Sequence, residues 1–287
     1  MQPPALPPMQ PPALPGPSRL GDADPMRLRS TGSRPLTSMR TIAALVLREM
    51  TTTYGRSPGG YLWAVVEPVA AIAILSVIFS AMFNVPPIGI NFPLFYATGM
   101  LPFQSFNDIS GKVAQALNFS RPLLAYPKVT YLDAILARFV LTLLTDLMVA
   151  YIVYTGIMLF YETRVIIDIP RIALGFAMAA ALGLGIGTLN CYFITAYPVW
   201  QRVWGIIMRP MFIISCVLFV FDTIPEQWRN YLWWNPLIHV VGVTRSGFYA
   251  SYDAVYASPS YVFAVSGITF MLGMVLLRRS YKELLQS

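Results

Sequence analysis

The chain has 287 residues, 56% of them hydrophobic and only 11% charged, with a net charge of +7. A soluble domain carries roughly 25% charged residues, so this balance excludes an ordinary soluble enzyme and indicates an integral membrane protein. The basic excess is no argument for nucleic acid, because Lys and Arg collect in the cytoplasmic loops of membrane proteins.

Residues 1–38 are a different material. "MQPPALPPMQPPALPGP" repeats MQPPALP at Met1 and Met9. Such Pro-rich sequence cannot bury a core and predicts a disordered or polyproline II tail, with the membrane domain at 39–287. No apolar h-region of a signal peptide follows the basic residues. Asp22-Ala-Asp24 spells the DxD pattern of sugar-nucleotide enzymes, but a disordered tail gives it no site.

From Ile42 to Tyr54, Ala43, Leu47, Met50 and Tyr54 recur at helical spacing, with Ile42 and Val46 beside them. Arg48, Thr51, Thr52 and Arg56 lie on the other side, which predicts a helix in the plane of the cytoplasmic interface. Ser57-Pro58-Gly59-Gly60 then turns the chain. Glu49 borders the apolar stripe and Glu67-Pro68 lies inside the following apolar run. Both placements are costly in lipid, so both predict protein neighbours.

Six apolar spans follow, at about 61–83, 94–117, 134–160, 172–196, 203–221 and 261–277. The fold class is therefore all-α, with six transmembrane helices behind an amphipathic interface helix. Arg40, Arg48 and Arg56, then Arg121 and Lys128, then Arg202 and Arg209, then Arg278, Arg279 and Lys282 mark alternate loops. By the positive-inside rule both termini are cytoplasmic.

The second span is unusually polar, with Thr98, Gln104, Ser105, Asn107, Asp108, Ser110, Lys112 and Gln115. Polar groups at membrane depth face protein or water, so this helix is expected to line a pathway, kinked at Pro102. Trp63, Tyr96, Phe103 and Phe106 could stack on the C–H faces of sugars, with Asn107 and Asp108 meeting hydroxyls. Trp200, Trp204, Trp228, Trp233 and Trp234 suit an interfacial belt instead. Asp146, mid-way along the third span, either pairs with a basic neighbour or relays protons. Gly175, Ala179, Gly183 and Gly187 recur every four residues in the fourth span and allow close helix approach, within one subunit or across a dimer. Cys191 and Cys216 fall in apolar runs and read as reduced packing residues. Residues 222–260 are too polar to cross and too aromatic for a free loop, which predicts short interfacial or re-entrant helices on the outer face. His239, the only histidine, has no partners at metal-ligand spacing.

Two stretches carry a resemblance. "LREMTTTYGRSPGGYLWAVVEP", through Leu45, Arg48, Glu49, Tyr54, Arg56, Gly60, Leu62, Trp63, Glu67 and Pro68, resembles the amino-terminal signature of ABC-2-type exporter permeases. It looks most like their capsular-polysaccharide branch, although Pro58-Gly59 stands where relatives often carry a bulkier pair. "WWNPLIHVVGVTRSGFY", from Trp233 to Tyr249, resembles the NP-containing segment before the last span of that family. The resemblance implies a transport subunit of the bacterial inner membrane, without catalytic residues or metal of its own. It implies a gate helix at the cytoplasmic mouth, with Arg48 and Arg56 facing acidic or phosphate groups and Glu49 paired with a neighbouring helix. It implies a coupling helix within Asn118–Arg138, where Arg121 and Lys128 dock on a nucleotide-binding subunit and Tyr126 and Val129 fill its cleft. A second copy of the chain, a polysaccharide or glycolipid substrate and periplasmic export proteins are further partners it implies.

No G-x-x-x-x-G-K-[ST] occurs in the chain. A phosphate-cradling loop is absent, so ATP and Mg are expected on a separate polypeptide. Two alternatives stay open: an ABC-2 exporter of lipids or small hydrophobic molecules, and a proton-coupled carrier using Asp146 and Asp108. An integral glycosyltransferase would need a sugar-nucleotide site, which the membrane domain lacks.

Overall fold

A computed structural model describes residues 34–53, 60–124 and 130–286. Among the described residues every regular element is helical. In chain order these are α1 (Arg34–Thr53), α2 (Gly60–Met82), α3 (Phe92–Ala114), α4 (Ala116–Leu124), α5 (Tyr131–Phe160), α6 (Ile169–Ala196) and α7 (Val199–Ile214). A single 3-10 turn (Phe221–Thr223) precedes α8 (Glu226–Leu232), α9 (Pro236–Phe248) and α10 (Pro259–Gln286).

Local chemistry sets several of these boundaries. Thr130 and Asp133 form a reciprocal capping box at the start of α5. The Asp133 N–H donates to Thr130 Oγ1 at 3.3 Å, and the Thr130 N–H donates to Asp133 Oδ2 at 3.0 Å. Asp168 caps α6 by accepting from the Arg171 N–H, and Asn235 caps α9 by accepting from the Leu237 N–H. α1 begins at Arg34, inside the stretch that composition assigns to the tail.

α6 is the central post, packed against α3, α9 and α10. Its glycines make this possible. A Cβ at Gly183 would sit 2.9 Å from the Ile109 side chain of α3, and one at Gly187 would sit 3.0 Å from the Ser110 carbonyl oxygen. On α10, a Cβ at Gly273 would sit 2.7 Å from the Leu189 backbone nitrogen of α6. The small-residue stripe is thus used within one subunit, where it lets backbones nearly touch. Cys191 and Cys216 are free thiols, both buried, as expected of packing residues.

Among the described residues, four helices are long and apolar enough to cross a bilayer: Leu62–Met82 of α2, α5, α6, and Pro259–Ser280 of α10. α3 is 23 residues long, about 35 Å at 1.5 Å per residue, but is more polar than these. Pro102 lies inside it, which removes the hydrogen bond to the Thr98 carbonyl without ending the helix. The bounds of the expected fifth span, 203–221, are corrected. α7 runs only from Val199 to Ile214, 16 residues or about 24 Å, and the chain then leaves the helix. The reason lies in a buried arginine. Arg245 of α9 takes the carbonyls of Cys216, Val217 and Phe219, which a continuing helix would have kept for itself. Cys216 turns the chain there with φ +60°.

The 222–260 segment is built from short helices, and α9 within it is enclosed: all but the first of its 13 residues are buried.

Candidate functional site: the polar stripe of α3

Gln104, Asp108, Gly111, Lys112 and Gln115 recur every three or four residues and so share one side of α3, with Asn107 beside them. Two cavities open along that side. One, of about 270 Å³, lies between α2, α3 and α5 and is lined by Trp63, Glu67, Gln104, Ser105, Thr145 and Asp146 among others. The second, of about 430 Å³, lies between α3, α6 and α7 and includes Asn107, Gln115, Gln201 and Trp204. Asp108 and Lys112, one turn apart, belong to both walls.

The first cavity has unsatisfied polar atoms. Gln104 approaches Asp108 and Ser105 approaches Asp146, yet Gln104 Oε1, Ser105 Oγ and Asp146 Oδ2 close no hydrogen bond of ordinary length. Buried polar groups normally find partners, so this wall has capacity for water or for the hydroxyls of a solute. Trp63 is 66% exposed and offers a ring face beside it. The chemistry available is hydrogen bonding and charge, without a nucleophile–base pair. Among the described residues no group of three His, Cys, Asp or Glu side chains is placed to hold a metal.

The expected pathway residues divide. Trp63 and Asp108 line the first cavity, and Asn107 and Asp108 the second. Tyr96, Phe103 and Phe106 do not line either. Tyr96 is 1% exposed, with its ring 5.3 Å from Phe79 and 5.2 Å from Phe95. Phe103 packs edge-on to Phe212 at 5.4 Å, and Phe106 is buried where α3 meets α6. Their apolar surface is spent on the core of this chain. Asp146 faces the cavity with Asp108 and Lys112 near it.

On α1, Glu49 is buried and its Oε1 lies 3.0 Å from Arg138 Nε of α5. Burial raises the Glu49 carboxyl above its usual range, and the Arg138 charge opposes that rise. Ile42, Leu45 and Val46 are half-buried on the same side, while Ala43, Leu47 and Met50 are exposed. The stripe anticipated as the apolar face of α1 thus points away from the protein, and the Glu49 side grips α5. Arg48 is exposed and lines a narrow crevice with Phe119 and Ser120 of α4. Tyr54, Arg56, Tyr126, Lys128 and Val129 lie outside the described residues, as does the side chain of Arg121 on α4.

Two further polar groups brace the 222–260 segment. Arg245, 1% exposed, donates from Nη1 to the Cys216 and Phe219 carbonyls and from Nη2 to the Val217 carbonyl, at 2.7–2.8 Å, with its guanidinium 4.3 Å above the Phe95 ring. His239 Nδ1 accepts from the Ser258 N–H at 3.1 Å, so its proton sits on Nε2 and is donated to the Trp233 carbonyl at 2.8 Å. Charge counting along loops takes Arg245 as one more loop charge and misses its burial. The usable signal was an arginine inside "VVGVTRSGFY", where flanking apolar residues leave a cation no water.

The family profile of the ABC-2 type transporter matches residues 40–249. This chain belongs to the ABC-2 type transporter family. The polysialic acid transport protein KpsM of Escherichia coli is 32% identical over 247 residues, covering 86% of this chain and 96% of KpsM. The capsule polysaccharide export inner-membrane protein CtrC of Neisseria meningitidis is 26% identical, over 86% of this chain and 93% of its own. BexB of Haemophilus influenzae, likewise a capsule polysaccharide export inner-membrane protein, is 24% identical over 85% and 92%. In an ABC-2 membrane subunit, a polar stripe flanked by two cavities is the natural candidate for the surface that meets cargo.

Proposed function

We propose that this chain is the permease subunit of an ATP-driven exporter that moves capsular or other cell-surface polysaccharide across the bacterial inner membrane. The observation that carries the reading is the nearly end-to-end similarity to KpsM, CtrC and BexB, three export proteins of different organisms. The geometry supports it: polar atoms without partners along α3, and an exposed tryptophan beside them, suit a hydroxyl-rich polymer that must be held weakly enough to keep moving.

The finer reading has four parts. Six segments cross, with α3 and α7 completing the four apolar helices, and both termini face the cytoplasm. Two copies assemble, so that the polar stripes of two α3 helices enclose one path. ATP and Mg bind a separate nucleotide-binding subunit, since the chain contains no phosphate-binding loop. That subunit contacts the segment around α4 and residues 125–129, and periplasmic export proteins receive the glycan.

Deleting the gene and measuring polysaccharide at the surface and inside the cell tests the function. Glycan trapped inside, released to the surface when the gene is restored, is the expected result. A deletion strain with an unchanged cell surface and no internal glycan refutes it.

A further inference from the structure

The C-terminal end of α3 stops at Ala114, and α4 starts again two residues later at Ala116. At this break the Lys112 carbonyl is left with a 3.3 Å contact from the Gln115 N–H. Arg138 of α5 fills the position. Its Nη1 donates to the Lys112 carbonyl at 3.0 Å, which places a cation at the negative end of the α3 dipole. The same guanidinium lies 4.1 Å above the ring of Phe119, one turn into α4. Its Nε is 3.0 Å from Glu49 of α1, an ion pair whose N–H is not aligned as a hydrogen bond. Arg138 is 7% exposed and Glu49 8%. One planar group carried on α5 therefore touches three other helices, and the crevice where α1, α4 and α5 meet has room for about one water molecule at most.

We infer that Arg138 is the positioning residue that makes α1 and α4 move together, carrying a push on α4 across to the α1 helix. The inference rests on the proposed function, in which the neighbourhood of α4 meets the nucleotide-binding subunit. The chemistry favours a shared joint over a plain ion pair. A guanidinium can stack on a ring, cap a carbonyl and meet a carboxylate at once, because its donors are fixed in one plane. An ammonium cannot hold all three. A rotation of α4 about Gln115 moves Phe119, and Arg138 must follow or lose its ring contact. Because low dielectric penalises separation of the buried charges, Glu49 and α1 follow Arg138.

Two measurements on the purified complex test this. The first is export per ATP hydrolysed in vesicles, for wild type, Arg138→Lys and Arg138→Gln. A merely structural loss lowers export and ATPase together and leaves their ratio unchanged. The inference expects the ratio to fall about tenfold in Arg138→Gln and to be only partly restored in Arg138→Lys. An unchanged ratio overturns it. The second needs no transport: spin labels at exposed Leu47 of α1 and exposed Asn118 of α4. A single narrow distance in wild type that broadens in Arg138→Gln supports the joint, and equal widths overturn it. If wild-type vesicles export without ATP, the proposed function fails, while the label distances still decide whether Arg138 couples α1 to α4.

Discussion

Arg245→Met removes the cation that holds the end of α7 open. In the native chain three carbonyl oxygens, those of Cys216, Val217 and Phe219, accept from its guanidinium at 2.7–2.8 Å. Each such charge-assisted bond contributes about 1.5–3 kcal/mol, and the contact with Phe95 adds about 0.5–2 kcal/mol. Burying the charge offsets much of this, because the side chain is 1% exposed and meets carbonyl dipoles instead of a carboxylate. Methionine keeps the bulk of the stem but leaves three carbonyls without their donor. The net loss expected is about 3–5 kcal/mol, three stranded carbonyls at about 1–3 kcal/mol each less the relieved cost of burying the charge. At about 2–4 °C per kcal/mol, the unfolding midpoint in detergent falls by about 10 °C. A fluorogenic maleimide reads this directly, because Cys191 and Cys216 are both buried and free. Cys216, whose own carbonyl is one of the three, becomes reactive before Cys191 in the variant. A midpoint within about 2 °C of wild type, with Cys216 still protected, refutes the account of why α7 ends at Ile214.

Gly273→Val drives a side chain into the α6 backbone at Leu189 and lowers stability by about 1–3 kcal/mol in the same thermal assay. Gly267→Ala on the same helix, where a Cβ meets nothing within 4 Å, leaves the midpoint unchanged. His239→Phe strands the Ser258 N–H and the Trp233 carbonyl and costs about 1–3 kcal/mol for each group, seen as a lower midpoint and a looser α9. Burial also lowers the affinity of His239 for a proton below the usual value of 6.5. The unfolded chain then binds the proton more readily. The contribution of His239 to stability is full above pH 6.5 and is lost as pH falls from there down through the lower folded-state value, a slope that His239→Phe abolishes in pH-resolved melting. Asp146→Asn keeps hydrogen-bonding capacity in the α2–α3–α5 cavity but cannot relay protons. Export by this variant continues, sensitive to vanadate and indifferent to collapse of the proton gradient. Loss of export on collapse, in wild type and not merely in the variant, restores the carrier reading.

The class of fold was legible because hydropathy is a property of composition. Runs such as Leu62–Met82 and Ile169–Ala196 declare themselves by length alone. The polar stripe of α3 was legible for the same reason, since Gln104, Asp108 and Lys112 contradict their surroundings. Destinations that depend on tertiary contact were not. Residues 203–221 carry a spanning pattern, and only Arg245, far along the chain, explains why the helix stops at Ile214. Tyr96, Phe103 and Phe106 carry rings suited to sugars, but a ring in a core and a ring in a channel have one sequence signature. Glu49 announced a partner by its cost in lipid. Nothing local named Arg138 as that partner, 89 positions later.

The glycines of α6 divide the molecule into what can slide and what cannot. Backbones set almost in contact, at Gly183 and Gly187 of α6 on one side and at Gly273 of the facing α10 on another, interlock like teeth, and a shear of about one ångström between them brings carbon into backbone. By contrast, α7 has no buried residue and little of α2 is covered within this chain. These two helices flank the polar side of α3. On the path proposed along α3, widening for a bulky polymer would fall to α2 and α7 swinging as leaves on a fixed frame, with α6 as the doorpost.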